Sequence, residues 1–301
     1  MKKENLLAVG AILAAVVMWG FSFLSIKITV AVFPPMTLAL LRFLIAVVFL
    51  WGVFKWQEPT TRLAKKDYPI MALAGLFGIT LYFYFQNNGV KLTTASAASI
   101  IIAFIPIMTL LAETIFFKGR LTPQKIWGVI LSVIGVCLVV GVDVRWSGSG
   151  MGYLMMFGAA VVWVVYSLIT KPLFQKYSQL AIVFYQTLFG TVVLIPFALF
   201  EKTNWHMVSG TVLSNLIYLG IFCSAVGYYV YMYALDKLGP NVTTLFLNFV
   251  PVVAVVAGCL ILGERLSFVQ IIGGLLVLTA VTIANWNGPV LKIGHQNKSI
   301  F

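Results

Sequence analysis

Apolar residues in this chain are gathered into long runs separated by short polar stretches. Ten runs lie near residues 6–27, 36–54, 69–90, 95–117, 124–142, 150–170, 180–200, 210–234, 241–262 and 267–286. A hydrocarbon core of roughly 30 Å takes about 20 residues of helix to cross, so each run is read as a transmembrane helix. Most connectors are too short to fold alone, and none is rich in both Gly and Ser. The pattern predicts an all-α membrane protein of ten transmembrane helices in a single membrane domain.

Composition agrees with that reading. The chain has 301 residues, of which 61% are hydrophobic and 9% charged, with a mean hydropathy of +1.02, outside the balance of a soluble domain. The opening MKKENLLAVGAILAAVV has the charge and apolar order of a secretory leader. A matching stretch in the second half makes it a span instead.

Charge fixes an expected orientation. With the N-terminus inside, fourteen of the 20 Lys and Arg fall on the inner side and five on the outer, leaving Arg42 within a span. Positive charge is retained on the cytoplasmic side, so both termini are expected in the cytoplasm of a multi-pass inner-membrane protein. The net charge of +12 is then a face meeting anionic lipid, and no nucleic-acid partner is expected.

The chain repeats itself. At an offset of 145 residues, Phe104, Pro106, Arg120, Leu121 and Gly128 match Phe249, Pro251, Arg265, Leu266 and Gly273. At 144, Trp19 and Lys27 match Trp163 and Lys171. Residues 1–145 and 146–301 are therefore read as two five-helix repeats, the second with a C-terminal cytoplasmic tail. Five is odd, so the second half enters the membrane from the opposite side. Two inverted five-helix repeats are the arrangement expected of a secondary transporter working by alternating access.

MWGFSFLSIK in the first span, LALLRFLIAVVFL in the second and LNFVPVVAVVAGCLILGERLSFVQIIGGLLVLTAV across the last two resemble the EamA-type branch of the drug/metabolite transporter superfamily. The resemblance covers nearly the whole chain. It implies a transporter of small organic metabolites, with export as the expected direction; an amino acid or an amphiphilic amine is the expected cargo, and the acid within the fourth span makes protons the candidate coupling ion. Efflux of many toxic compounds on the same scaffold is the alternative, and a receptor or scaffold is the alternative from another class. The family pattern of Trp-Gly and a downstream Lys is matched by Trp19, Gly20 and Lys27, its second-span Arg by Arg42, and its G-E-R by Gly263, Glu264 and Arg265. The first half departs from the last at Lys118 and Gly119.

Several residues are candidates for the transport site. Trp19, Phe23, Trp163, Tyr166 and Tyr229 are expected to form an aromatic wall, suited to flat, cationic or amphiphilic cargo, with Gln86 and Asn248 as neutral polar contacts. Gln86, Asn87 and Asn88 do not suit lipid, so one face of the third span should point inward. The tyrosine-rich stretches LYFYFQNNG and GYYVYMYAL are also what an interfacial aromatic belt contains. Pro106 and Pro251 free the carbonyls of Ile102 and Leu247 and serve either as static kinks or as hinges beside a polar notch.

Two charges lie inside spans. A buried guanidinium costs several kcal/mol unless paired or hydrated, so Arg42 either ties helix ends together with its five donors or receives a substrate anion. Glu113 either snorkels to the inner surface or faces an inner vestibule, binding a proton or a cationic group of the cargo. By helix rise the two are about 14 Å apart in depth, too far for an ion pair. The matching position of Glu113 is Gly258, so the repeat does not demand the acid.

No enzymatic activity, cofactor or metal site is expected. No span contains histidine, Cys137, Cys223 and Cys259 lack CxxC spacing, and no GxxxxGK[ST] occurs. Small-xxx-small pairs such as Gly128 and Ser132 are read as packing surfaces within a monomer, and a dimer is left open.

Overall fold

The computed structural model describes residues 3–117, 122–140 and 148–284, and among them the chain is helical with no strand. The expected boundary between the halves, at 145 and 146, and the C-terminal tail lie outside the described residues. The first half holds α1 (Lys3–Thr29), α2 (Pro35–Gln57), α3 (Tyr68–Gly75), α4 (Tyr82–Leu92), α5 (Ala95–Ile102), α6 (Ile105–Phe117) and α7 (Pro123–Val140). The second holds α8 (Gly148–Thr170), α9 (Gln179–Leu199), α10 (Gly210–Tyr218), α11 (Gly227–Leu247), α12 (Val250–Ile261) and α13 (Phe268–Ala284). Six stretches are long and apolar enough to cross a membrane, and four shorter apolar helices bring the spans to ten.

The irregularities are as informative as the helices. In the third span a π-helical turn, Leu76–Leu81, joins α3 to α4. In the eighth another, Leu219–Val226, joins α10 to α11. Such turns widen the helix by one residue per turn and leave carbonyls out of register. The fourth span breaks at Ala103 and Phe104, the ninth at Asn248 and Phe249. Each break lies just before one of the two prolines, where an N–H is missing from the ladder.

The chain turns back within α11. Val230, Phe246 and Leu247 all pack on a small cluster formed by Ile12, Ala15 and Ala234. A straight helix would hold positions 230 and 246 about 24 Å apart, so α11 bends sharply between them, in a stretch whose Pro240 has no N–H to give the helical ladder. In the first half the same reversal is made openly at Thr93 and Thr94.

Packing repeats across the halves. Span one lies on spans eight and nine, and its counterpart, span six, lies on spans three and four. Span two packs on the π turn of span eight, and span seven on the π turn of span three. Spans five and ten, α7 and α13, form a pair of their own. A Cβ on Gly135 would come within 2.6 Å of the Gly273 carbonyl oxygen, and one on Gly273 within 2.5 Å of the Gly135 carbonyl oxygen. Only glycine allows that backbone approach. Gly128 likewise lies against Ala280 and Ala284 of the same chain.

Polar bonds pin the end of the bundle opposite the start of α1, here called the far end. Lys27 Nζ donates to the carbonyls of Val90 and Lys91 at 2.9 and 3.1 Å and also to that of Thr93, a cation at the C-terminus of α4. Glu264 accepts from the amides of Ala95 and Ser96 at 2.7 and 3.0 Å and from the Ser96 hydroxyl at 2.6 Å. Glu201 accepts from the amides of Met36 and Thr37 at 3.1 and 2.7 Å and from the Thr37 hydroxyl at 2.9 Å. Each carboxylate fills the orphan donors at a helix start. Pro34, at the N-cap of α2, has no side-chain acceptor of its own.

Candidate functional site

Spans one, two, three, four, six, eight and nine enclose a central cavity of about 240 Å³. Helix phase delivers its lining. On α1, Trp19, Ser22 and Phe23 share one face by their i, i+3 and i+4 spacing and reach the cavity together. On α4, Tyr82, Phe83 and Gln86 do the same. Tyr228 and Tyr231 come from α11, Trp163 from α8, and Pro106 and Pro251 from the two interrupted spans.

The π turn of span eight anchors two of these side chains. Trp19 donates its indole N–H to the Cys223 carbonyl at 2.9 Å, satisfying an acceptor in the widened turn. Its ring lies 5.4 Å from Tyr228 and 5.3 Å from Tyr231. The matching Trp163 lies 4.8 Å from Tyr82 and 5.0 Å from Tyr166. Each half thus supplies a tryptophan flanked by two tyrosines, at separations normal for attractive ring pairs.

Among the described residues Arg42 is the charged residue of the lining, and it is 4% exposed. Its Nε donates to Ser224 Oγ at 2.5 Å, from the same π turn. The guanidinium carbon is 4.6 Å from the centre of the Phe83 ring and 5.4 Å from that of Phe43, within cation–π range. Among the described residues no carboxylate pairs with it. Two neutral side chains are also incompletely satisfied. Gln86 Oε1 and Asn248 Nδ2 are buried without a hydrogen-bond partner among the described residues.

Most of the side chains singled out from sequence meet here: Trp19, Phe23, Arg42, Gln86, Trp163, Asn248, Pro106 and Pro251 all line the cavity. Two aromatic residues lie elsewhere. Tyr166 stands behind Trp163 and donates its hydroxyl to Gln186 Oε1 at 2.9 Å. Tyr229 is 39% exposed and accepts from Gln57 Nε2 at 2.7 Å. Glu113 lies on α6, and its side chain falls outside the described residues.

Tyr82, Phe83, Tyr228 and Tyr231 were legible only as members of tyrosine-rich stretches. The missing step was helical phase: once Gln86 points inward, positions 82 and 83 share its face. A wider recess, about 560 Å³, lies between α12, α13 and the start of α7 and is lined chiefly by apolar and threonine side chains. It shares Asn248 with the central cavity.

Ten spans in two inverted repeats around a central cavity define a membrane transporter. The EamA-like transporter family model matches the chain twice, over residues 6–141 and 150–286. The chain belongs to that family. An Archaeoglobus fulgidus protein described as an uncharacterized transporter is 29% identical over 94% of this chain and 98% of its own length. A Streptantibioticus cattleyicolor protein named "Probable terminal-alkyne amino-acid exporter" is 30% identical over 92% of this chain and 93% of its own. A solved crystal structure shares the fold, with a TM-score of 0.66 at 21% identity over 92% of this chain and 96% of that one.

Proposed function

We propose that this transporter exports a small organic metabolite bearing a carboxylate, of the amino-acid class, by alternating access across the inner membrane, with both termini in the cytoplasm. Arg42 carries the reading. A guanidinium 4% exposed, with no carboxylate partner among the described residues, in a cavity lined by aromatic rings is an incomplete ion pair. A cargo carboxylate completes it, bidentately if it meets the guanidinium fork. The fixed cation disfavours an amine lacking an acid group. The cavity is also smaller than the roughly 300–1,000 Å³ usual for drug-sized ligands, which favours a metabolite over broad efflux. The name of the Streptantibioticus relative supports an amino acid and the outward direction.

Counterflow of a labelled apolar amino acid in proteoliposomes tests the reading. Arg42→Gln should abolish substrate-dependent counterflow while the purified protein stays folded. Undiminished counterflow would return Arg42 to a structural role. Proton coupling is assigned to Glu113. Glu113→Gln should then flatten the pH profile of transport without lowering folded yield, and an unaltered profile would remove the assignment. Cysteines at positions 57 and 147 should be labelled from opposite sides of sealed cells.

A further inference from the structure

The two helix breaks leave bare acceptors at the cavity. Pro106 and Pro251 have no amide hydrogen, so the carbonyls of Ile102 and Leu247 lose their helical partners. No other hydrogen bond to either carbonyl is found among the described residues. Ile102 and Leu247 are the last residues of α5 and α11, and both line the cavity. A helix C-terminus carries roughly half a negative elementary charge, so two of them bring about one negative charge to the same chamber. Gln86 Oε1, on a side chain 6% exposed in the same lining, is a third acceptor without a partner.

We propose that the Ile102 and Leu247 carbonyls and Gln86 Oε1 form a seat for a substrate ammonium group. The seat rests on the carboxylate reading of Arg42 and makes the cargo an α-amino acid in its zwitterionic form. Arg42 supplies donors for the carboxylate, with the bare Asn248 Nδ2 in the same lining. The ammonium supplies the donors that the three oxygens lack, and the tryptophan and tyrosine rings face the apolar side chain. The seat is shared between the repeats, since Ile102 and Leu247 are themselves matched at an offset of 145. Any motion that changes how the two halves meet at the breaks would change it, so cargo binding and gating act on the same atoms.

The test uses purified full-length protein and matched ligand triads, read by calorimetric titration. One triad is leucine, its des-amino counterpart 4-methylpentanoate, and its decarboxylated counterpart 3-methylbutylamine; alanine and phenylalanine supply two more. An amino acid should bind about tenfold tighter than its des-amino counterpart, the effect expected of charge-assisted hydrogen bonds. Pro106→Ala and Pro251→Ala return a donor to Ile102 and Leu247. They should narrow that ratio while leaving 4-methylpentanoate affinity in place. Gln86→Glu should widen the ratio and Gln86→Leu narrow it; this change of sign keeps the test decisive if the proline variants fail to fold.

Equal binding of each amino acid and its des-amino counterpart, both still dependent on Arg42, would overturn the seat and leave the carboxylate reading standing. Amine binding as tight as that of the amino acids, with Arg42→Gln harmless, would overturn the carboxylate reading. Absence of binding by every member of the triads would overturn both.

Discussion

At the far end of the bundle, Glu201, Glu264 and Lys27 each reach from one span to the backbone of another, each making three hydrogen bonds. At the near end, among the described residues, the corresponding loop acid is held less fully. Glu58, in the loop after span two, accepts a single bond from Ser178 at 2.7 Å, on the surface. Ser178 already caps its own helix through the Ala181 amide at 3.0 Å. Further near-end bonds, from Lys176 and the Tyr177 hydroxyl to Asp67 at 2.8 and 2.7 Å and from the Ala64 amide to the Tyr177 hydroxyl at 3.1 Å, tie the third span and the loop before it to the loop between spans six and seven. Among the described residues the loop acids that follow spans seven and two are thus held unequally: Glu201 by two backbone amides and a hydroxyl, Glu58 by a single hydroxyl. In the alternating-access cycle proposed above, that difference would reverse as the cavity opens to the other side.

Removing Glu264 should have the largest effect. Glu264→Ala leaves two amides and one hydroxyl without their acceptor, and hydrogen bonds to charged groups contribute about 1.5–3 kcal/mol each, less than additively. A loss of about 3 kcal/mol is expected, read as a lower Tm. A cysteine at position 99, which lines the cavity, should at the same time become faster to label from the far side. An unchanged labelling rate would break the comparison.

Gly258→Ala should come next. A Cβ there would lie 2.6 Å from Glu264 Oε2 and 2.7 Å from Ser96 Oγ, so the carboxylate must withdraw, at about 1–2 kcal/mol. Made in the Glu264→Ala background, it should add little, and a full additive loss would mean that the glycine serves something else.

At the near end, Ser178→Ala should cost about 1 kcal/mol, the usual value of an N-cap, with no change in far-side labelling. Lys176→Met should have the smallest effect, because the pair with Asp67 is exposed on the lysine side. The hydrogen bond to Asp67 raises the Lys176 pKa above the ordinary lysine value. Its contribution is therefore complete below that ordinary value and fades as pH rises through the raised one. Thermal stability of wild type and variant should run parallel across neutral pH and converge at both extremes: in strong alkali as the lysine deprotonates, and in strong acid as Asp67, whose pKa the same bond lowers, is protonated.

The sequence difference between the halves now has a physical setting. At matched positions the first half reads Glu113 and Gly119, the second Gly258 and Glu264. In the second half the acid in the loop and the bare glycine on the helix go together, because a side chain at 258 would occupy the place of the carboxylate. The G-E-R stretch was legible as a motif. Its partners, Ala95 and Ser96, lie 168 or more residues away, and nothing local in the chain points to them.

Ten spans, their inversion and the pairing of Trp19 with Trp163 were determined by the sequence alone, because hydrocarbon imposes run length and a repeat keeps its spacing wherever the chain goes. The prolines also declared which carbonyls would be freed, since a missing N–H is a covalent fact. Only the tertiary structure decided where those features meet. The π turns of spans three and eight lie where spans seven and two pack on them. Arg42 meets Ser224, 182 residues away, at one of those turns. Tyr166 and Tyr229 went to other partners because neighbouring helices, and not their own spans, set the depth and phase at which an aromatic ring reaches the cavity.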